Sequence, residues 1–153
     1  MARRLAARLI ERRLTLALAE SCTAGLVADL LARVSGVSQA LWGSFVCYSP
    51  AAKQRMLGIP RDFLERYGLV SAETAREMAL RARELSGASV AASVTGIAGP
   101  GGDGSGLPVG TVWIAAAQQE NCREKELHFE GTRAEIRIQA AAAVLEELLE
   151  VVK

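Results

Sequence analysis

The sequence contains few of the residues that commonly bind metals or form disulfides. Its 153 residues include one histidine and three cysteines, and aromatic residues make up only 5% of the chain. The cysteines, Cys22, Cys47 and Cys122, are too few and too scattered for a disulfide framework or a metal cluster. No His, Cys and carboxylate residues recur at ligand spacing either. We therefore predict a protein that works without a metal ion and without an organic cofactor.

Net charge and long apolar runs are also missing. The formal net charge is +1, which gives no bulk attraction to nucleic acid or to an anionic membrane. No apolar run approaches the ~20 residues of a membrane-spanning helix, and arginines interrupt any signal-peptide core in residues 1–13. Leu5 and Leu9 give that segment a helical stripe, so its arginines are expected on the solvated face. We expect a protein of the reducing cytoplasm.

The length favours one domain, covering residues 1–153, because a chain of this size buries about two-thirds of its unfolded surface. The predicted strands cover residues 14–20, 39–48, 88–94, 111–118 and 122–130. The predicted helices are an Arg-rich first helix, residues 23–34, Pro50 to Gly58, a short helix after Pro60 that ends at Tyr67–Gly68, Ser71 to Gly87, and residues 132–152. This alternation predicts an α/β fold in three layers, with a mixed, mostly parallel sheet between helices and a terminal hairpin.

The first predicted strand and the helix after it place Ser21 at a promising position. An apolar run, residues 14–19, stops at Glu20, and helical spacing begins a few residues later. Ser21 is therefore expected at the carboxyl end of a buried strand, where open α/β sheets bind their ligands. A helix amino terminus there would offer N–H groups to an anion or an oxyanion. The alternative is that Ser21 or Thr23 only caps the helix.

Two further stretches are expected near the same edge of the sheet. Seven of the fourteen glycines lie in residues 95–110, directly after a predicted buried strand. Tyr48 and Lys53 flank a Ser-Pro turn that follows another strand. A desolvated lysine can serve as the base that a nucleophilic serine needs. The alternatives are a packed tyrosine, a solvated lysine and a loop that only turns the chain.

His128 is a weak candidate for a catalytic base. It lies between Leu127 and Phe129 in a predicted strand, so its side chain is expected on the opposite, exposed face. A Ser-His-Asp triad is therefore disfavoured, and serine with lysine is the nucleophilic chemistry that the composition leaves open.

Five blocks in order resemble one family. They are Ala19-Glu-Ser-Cys-Thr-Ala-Gly25, Tyr48-Ser-Pro-Ala-Ala-Lys53, Val70-Ser-Ala-Glu73, Thr95-Gly-Ile-Ala-Gly-Pro-Gly-Gly102 and Pro108-Val-Gly-Thr-Val112. Together they resemble the CinA carboxyl-terminal domain family, the nicotinamide mononucleotide (NMN) amidohydrolases or nicotinamide-nucleotide deamidases. The resemblance runs from about residue 5 to residue 150 and is to the stand-alone form of the domain.

The resemblance implies hydrolysis of the NMN carboxamide to nicotinate mononucleotide and ammonia, in pyridine nucleotide recycling. Ser21 would be the nucleophile and Lys53 the general base, while Tyr48 would support proton transfer or position the substrate. Backbone N–H groups at a helix start near Cys22 and Thr23 would hold the oxyanion.

The remaining binding residues also follow from the resemblance. Arg133 and Arg137 would hold the phosphate as bidentate donors. Backbone amides of the glycine-rich loop would wrap the nucleotide. The residues of that loop are Thr95, Gly96, Ile97, Ala98, Gly99 and Gly101.

Four positions depart from the family pattern. Ala24 stands where a glycine is usual, Pro50 where asparagine is, Leu107 where lysine is and Thr132 where aspartate is. Leu107 and Thr132 favour a second hypothesis, a weak or inactive nucleotide-binding or regulatory module, which the intact Ser21, Tyr48 and Lys53 oppose. A third, a cysteine hydrolase that uses Cys22, is disfavoured because no histidine lies nearby in sequence. The alanine-rich last helix could support a homodimer.

Overall fold

The computed structural model describes all residues, 1–153. The strands are β1 (Leu16–Glu20), β2 (Leu41–Val46), β3 (Val90–Gly96), β4 (Thr111–Gln118) and β5 (Asn121–His128). The helices are α1 (Ala2–Glu11), α2 (Leu26–Ala32), α3 (Pro50–Leu57), α4 (Arg61–Tyr67), α5 (Ala72–Ser86) and α6 (Arg133–Val151), and a short 3₁₀ helix covers Val37–Gln39.

The five strands form one mixed sheet in the order β2-β1-β3-β4-β5. The β1 strand pairs in parallel with β2 and with β3. The β4 strand is antiparallel to both β3 and β5, so it alone runs against the others. Glu20, the last residue of β1, is in register with Val46 of β2 and Val94 of β3. The carboxyl ends of these three strands therefore meet at one edge of the sheet.

Helices cover both faces of the sheet. The apolar side chains of β1 alternate between the two faces, so each face needs a helical layer to bury it. Leu16 and Leu18 pack in a core with residues of α1, α2 and α6. Ala17 and Ala19 pack in a second core with residues that include Leu57 and Met78. The arrangement confirms the predicted α/β fold with a mixed sheet between helical layers and a terminal hairpin. No helix combines the length and the apolar character needed to span a bilayer.

Local capping explains why several predicted helix starts agree with the structure and one does not. The hydroxyls of Ser49, Ser71 and Thr132 each accept a backbone N–H at the starts of α3, α5 and α6. The α2 helix begins at Leu26, three residues after the predicted start. Its N-cap residue is Gly25, which has no side chain to make a capping bond. The alternative interpretation, that Ser21 or Thr23 caps this helix, is therefore wrong.

Candidate active site

Ser21 opens onto a cavity of about 240 Å³ at the carboxyl ends of β1 and β3. Its N–H donates to the carbonyl of Val94 (3.0 Å), which fixes its backbone to the neighbouring strand. The residue is 8% exposed. The cavity lining combines residues from five segments: Ser21, Cys22, Tyr48, Lys53, Leu69, Val70, Thr95, Gly96, Ile97, Ala98, Gly99, Gly101, Gly102, Asp103 and Arg133.

Lys53 extends from α3 into the base of this cavity, where only 2% of its surface is exposed. Its Nζ lies 3.0 Å from the Oγ of Ser21 and donates to the carbonyl of Cys47 at 3.1 Å. Burial lowers the pKa of Lys53 from its ordinary value of 10.5, and the nearby thiols of Cys47 and Cys22 only partly oppose that shift. A lysine that loses its proton more easily can accept one from a serine hydroxyl.

The thiol of Cys22 lies beside this pair but is poorly suited to nucleophilic attack. Burial raises its pKa to about 11, while the charges of Lys53 and Arg137 oppose the rise. Burial also raises the pKa of the Cys47 thiol. Because the thiolate is the reactive form of cysteine, these pKa shifts argue against a cysteine hydrolase.

Glu20, whose role the sequence did not reveal, caps α2 from inside the protein. It is fully buried. Its Oε2 accepts hydrogen bonds from the N–H groups of Gly25 and Val27, and its Oε1 accepts one from the N–H of Ala28. The carboxylate thereby occupies the helix terminus that was expected to receive a ligand. No local sequence pattern predicts this role, because Glu20 ends β1 and lies six residues before the first residue of α2.

The turn after Ser21 keeps free N–H groups although α2 starts later than predicted. No backbone acceptor takes a hydrogen bond from the N–H of Cys22 or Thr23. The carbonyls of the same two residues accept hydrogen bonds from Nε and Nη2 of Arg137, at 3.0 and 2.8 Å. Arg137 does not line the cavity. The structure therefore places Arg137 behind the turn, and not at the position expected for a phosphate ligand.

Arg133, one helical turn before Arg137, lies at the mouth of the cavity. Its guanidinium donates to the carbonyl of Gly99 at 2.7 Å and to the hydroxyl of Tyr48. Tyr48 is 52% exposed and makes no hydrogen bond to Ser21 or Lys53. Arg133 therefore joins Tyr48 to the glycine-rich loop and presents the one cationic side chain at the opening.

The glycine-rich loop forms the opposite wall. Thr95 is buried and its hydroxyl donates to the carbonyl of Leu69, so the hydroxyl does not face a ligand freely. Gly99 has a φ of +76°, and a Cβ at this position would collide with the side chain of Val109. Asp103, which sequence reasoning did not select, is the one carboxylate in the lining. Desolvation by the surrounding loop acts to raise its pKa, but the hydrogen bonds that it accepts from Ser105 outweigh this and lower it.

The residues that could hold a metal ion do not come together. No group of three His, Cys, Asp or Glu side chains is close enough for one. His128 is exposed on β5, as predicted, and lies outside the cavity lining.

Comparison with known proteins identifies the family. A family model described as the CinA C-terminal domain matches residues 1–152. The chain belongs to this family.

Relatives and solved structures agree with that assignment. A CinA-like protein from Geobacter metallireducens is 48% identical over 90% of this chain, and one from Syntrophomonas wolfei is 47% identical over 87%. The chain spans about a third of the length of these curated relatives. The crystal structure of a competence-damaged protein (CinA) superfamily protein from Escherichia coli is similar over 98% of this chain and 87% of its own, with 35% identity and a TM-score of 0.95. A competence/damage inducible protein from Agrobacterium tumefaciens is similar over 99% of this chain and 96% of its own, with 37% identity and a TM-score of 0.92.

The four departures from the CinA pattern leave the Ser21–Lys53 contact in place. Thr132 caps α6 in a capping box with Glu135, a role that threonine and aspartate share. Pro50 takes the first position of α3, where proline is well tolerated. Leu107 lies outside the cavity lining. Ala24 adopts a φ of +49°, a conformation that glycine would adopt without strain.

Proposed function

We propose that the chain is an amidohydrolase that converts NMN to nicotinate mononucleotide and ammonia in cytoplasmic pyridine nucleotide recycling. The observation that carries this proposal is the 3.0 Å contact between Ser21 Oγ and Lys53 Nζ at the base of a cavity. The substrate is proposed from the resemblance of the five sequence blocks to the NMN amidohydrolases. The names of the CinA relatives do not state an activity.

In the proposed acylation step, Ser21 attacks the carbonyl carbon of the carboxamide. Neutral Lys53 accepts the hydroxyl proton as the Oγ–C bond forms. The free N–H of Cys22, which lines the cavity, is the candidate donor to the oxyanion of the tetrahedral intermediate. Thr23 is fully buried and outside the lining, so its free N–H would need a shift of the turn to contribute. Lys53 then gives the proton to the leaving nitrogen, the C–N bond breaks, and ammonia departs from an acyl-enzyme.

The second half of the reaction uses the same groups in the same roles. Water attacks the acyl carbon and Lys53 accepts its proton. When the second tetrahedral intermediate collapses, the Oγ–C bond breaks, Ser21 regains its proton from Lys53, and nicotinate mononucleotide leaves. Each proton removed from a nucleophile is thus returned to a leaving group, so one lysine suffices for both steps.

The proposed substrate orientation follows from the charges around the cavity. The carboxamide lies at the base, next to Ser21, and the phosphate lies at the opening, next to Arg133. Release of Arg133 from Tyr48 would free a planar guanidinium for bidentate contact with the phosphate. Backbone groups between Gly96 and Gly102 would then contact the nucleotide between these two ends.

The direct test is ammonia release from NMN by the purified protein, with a metal chelator present. Wild type should release one ammonia per nicotinate mononucleotide, and Ser21→Ala should lower kcat by several orders of magnitude. Cys22→Ala, a change at the adjacent residue, is the matched control and should keep most of the activity. A wild type that binds NMN in calorimetry without turnover would support the regulatory module instead. Loss of activity in Cys22→Ala alone would support the cysteine hydrolase.

A further inference from the structure

We infer that Glu20 is a positioning residue that fixes the geometry of the Ser21–Lys53 pair. Glu20 precedes Ser21 directly, is fully buried and does not line the cavity. It therefore acts through other groups and does not touch the substrate. The kinetic part of this inference rests on the proposed function, and its structural part does not.

The side chain of Glu20 joins three segments that meet beside the nucleophile. Besides the three N–H groups at the start of α2, its carboxylate accepts the hydroxyl of Thr23 at 2.7 Å and that of Ser44, on β2, at 3.0 Å. No arginine or lysine donates to it. Five donors converge on two oxygens, so the negative charge is balanced by the helix terminus and by hydroxyl dipoles.

The main chain of Glu20 extends the same connection to Lys53. Its carbonyl accepts the N–H of Cys47 at 2.9 Å and contacts the Cys47 thiol at 3.7 Å. The carbonyl of Cys47 in turn accepts Nζ of Lys53 at 3.1 Å. One residue thus holds the turn that carries Ser21 and the segment that anchors Lys53. A shift of Glu20 would change the relative position of both reacting groups.

An amide at this position could not make the same contacts. Glutamine has one acceptor oxygen and one NH₂ group. Each of the two carboxylate oxygens of Glu20, in contrast, accepts at least one backbone N–H. If the NH₂ replaces Oε1 it faces the N–H of Ala28, and if it replaces Oε2 it faces those of Gly25 and Val27. Either orientation opposes at least one backbone N–H, which cannot become an acceptor, so the turn has to move although the side-chain volume is unchanged.

The kinetic test compares Glu20→Gln with Glu147→Gln. Glu147 is also nearly buried, lies on α6 with Arg123 at 3.5 Å, and does not line the cavity. Glu20→Gln should lower kcat for NMN by ~10²-fold, the cost of a displacement of about 1 Å, with KM changed less than about 3-fold. Glu147→Gln should keep kcat within about 2-fold of wild type. Equal kcat values for the folded fractions of both variants would overturn the inference.

A crystal structure of Glu20→Gln decides the structural part even if wild type does not hydrolyse NMN. We expect the distance between Ser21 Oγ and Lys53 Nζ, 3.0 Å in the native chain, to lengthen beyond hydrogen-bond range. A pair that keeps its distance in the variant contradicts the positioning role. If Glu20→Gln does not fold, Ser44→Ala removes a single donor and should lower kcat about 3- to 10-fold with KM unchanged. A Ser44→Ala enzyme with wild-type kcat would then contradict the positioning role of Glu20.

Discussion

The turn at residues 21–25 and the loop at residues 97–110 form facing walls of the same cavity, but the turn is fixed along its length and the loop mainly near its ends. Glu20 accepts donors of the turn from one side, and Arg137 donates to its carbonyls from the other. The loop is tied mainly at its two ends, where Gly110 donates to Ile97 and Arg133 donates to Gly99. Residues 100–109 between those ties are all exposed.

This difference predicts separate roles for the two walls of the site. A turn whose acceptors and donors are engaged from two sides can hold a nucleophile and an oxyanion at fixed positions, as transition-state stabilisation requires. A loop that is tied at its ends can adjust around a nucleotide. Changes at the turn should therefore alter kcat, and changes at the loop side should alter KM.

The largest expected effect is at Lys53. Lys53→Arg should be nearly as damaging as Lys53→Ala, with kcat lowered by about 10³-fold or more, because arginine keeps the charge but cannot release its proton. In wild type, kcat/KM should rise with pH as Lys53 deprotonates. Because burial lowers the pKa of Lys53 below 10.5, this rise should lie below that pH. Near-normal turnover in Lys53→Arg would show that only the positive charge matters, and Tyr48 would become the first candidate for the base.

The next effect in size is expected at Arg133, on the loop side. Arg133→Ala removes the cation at the opening, and a charge-assisted contact to phosphate is worth roughly 1.5–3 kcal/mol. KM for NMN should therefore rise about 10- to 100-fold. KM for nicotinamide riboside, which lacks the phosphate, should change far less. Steady-state kinetics on both substrates makes the comparison, and an equal change on both would remove Arg133 from phosphate binding.

Arg137→Ala, a change on the same helix, should lower kcat rather than raise KM, the reverse of what is expected for Arg133→Ala. Because Arg137 holds the carbonyls of Cys22 and Thr23, its loss should lower kcat about 10-fold through displacement of the turn. The decrease should be the same for NMN and nicotinamide riboside, and KM should stay near wild type. A selective rise in KM for NMN would instead restore Arg137 as a phosphate ligand and weaken the distinction between turn and loop.

The smallest effect concerns stability at the turn. Ala24 has a φ of +49°, a strained conformation for a residue with a Cβ, so Ala24→Gly should stabilise the protein by about 1 kcal/mol. Ala7→Gly, at an exposed position inside α1, should destabilise it by a similar amount. Urea unfolding measures both. The same sign in the two variants would contradict the account of the turn.

The sequence was sufficient for the fold because periodicity and capping residues are local signals. Ser49, Ser71 and Thr132 marked helix starts, and the runs of strand-forming residues before and between these helices predicted the sheet. The start of α2 was missed because its cap is Glu20, which reaches forward to N–H groups up to eight residues later. Local patterns associate capping with Ser, Thr, Asp or Asn at the first position, and not with a preceding strand residue.

The candidate site shows the same limit. The family motifs selected both members of the Ser21–Lys53 contact, but they could not distinguish Arg133 from Arg137. These arginines are four residues apart in sequence and lie on the same side of α6, so only the three-dimensional structure separates a guanidinium at the opening from one behind the turn. Asp103, Leu69 and Val70 line the cavity because of the way their loops pack. No periodic pattern in the sequence predicts how loops pack.

The most direct measurement is an NMR titration of the protein labelled at its lysine side chains. The chain has three lysines, and Lys125 and Lys153 are exposed, so they provide reference resonances in the same sample. Because desolvation disfavours the charged ammonium, the account predicts that the Lys53 resonance titrates at a lower pH than both references. It also predicts that Ser21→Ala leaves this order unchanged, since burial is its main cause. A Lys53 resonance that titrates together with Lys125 and Lys153 would contradict the claim that this lysine serves as the base for Ser21.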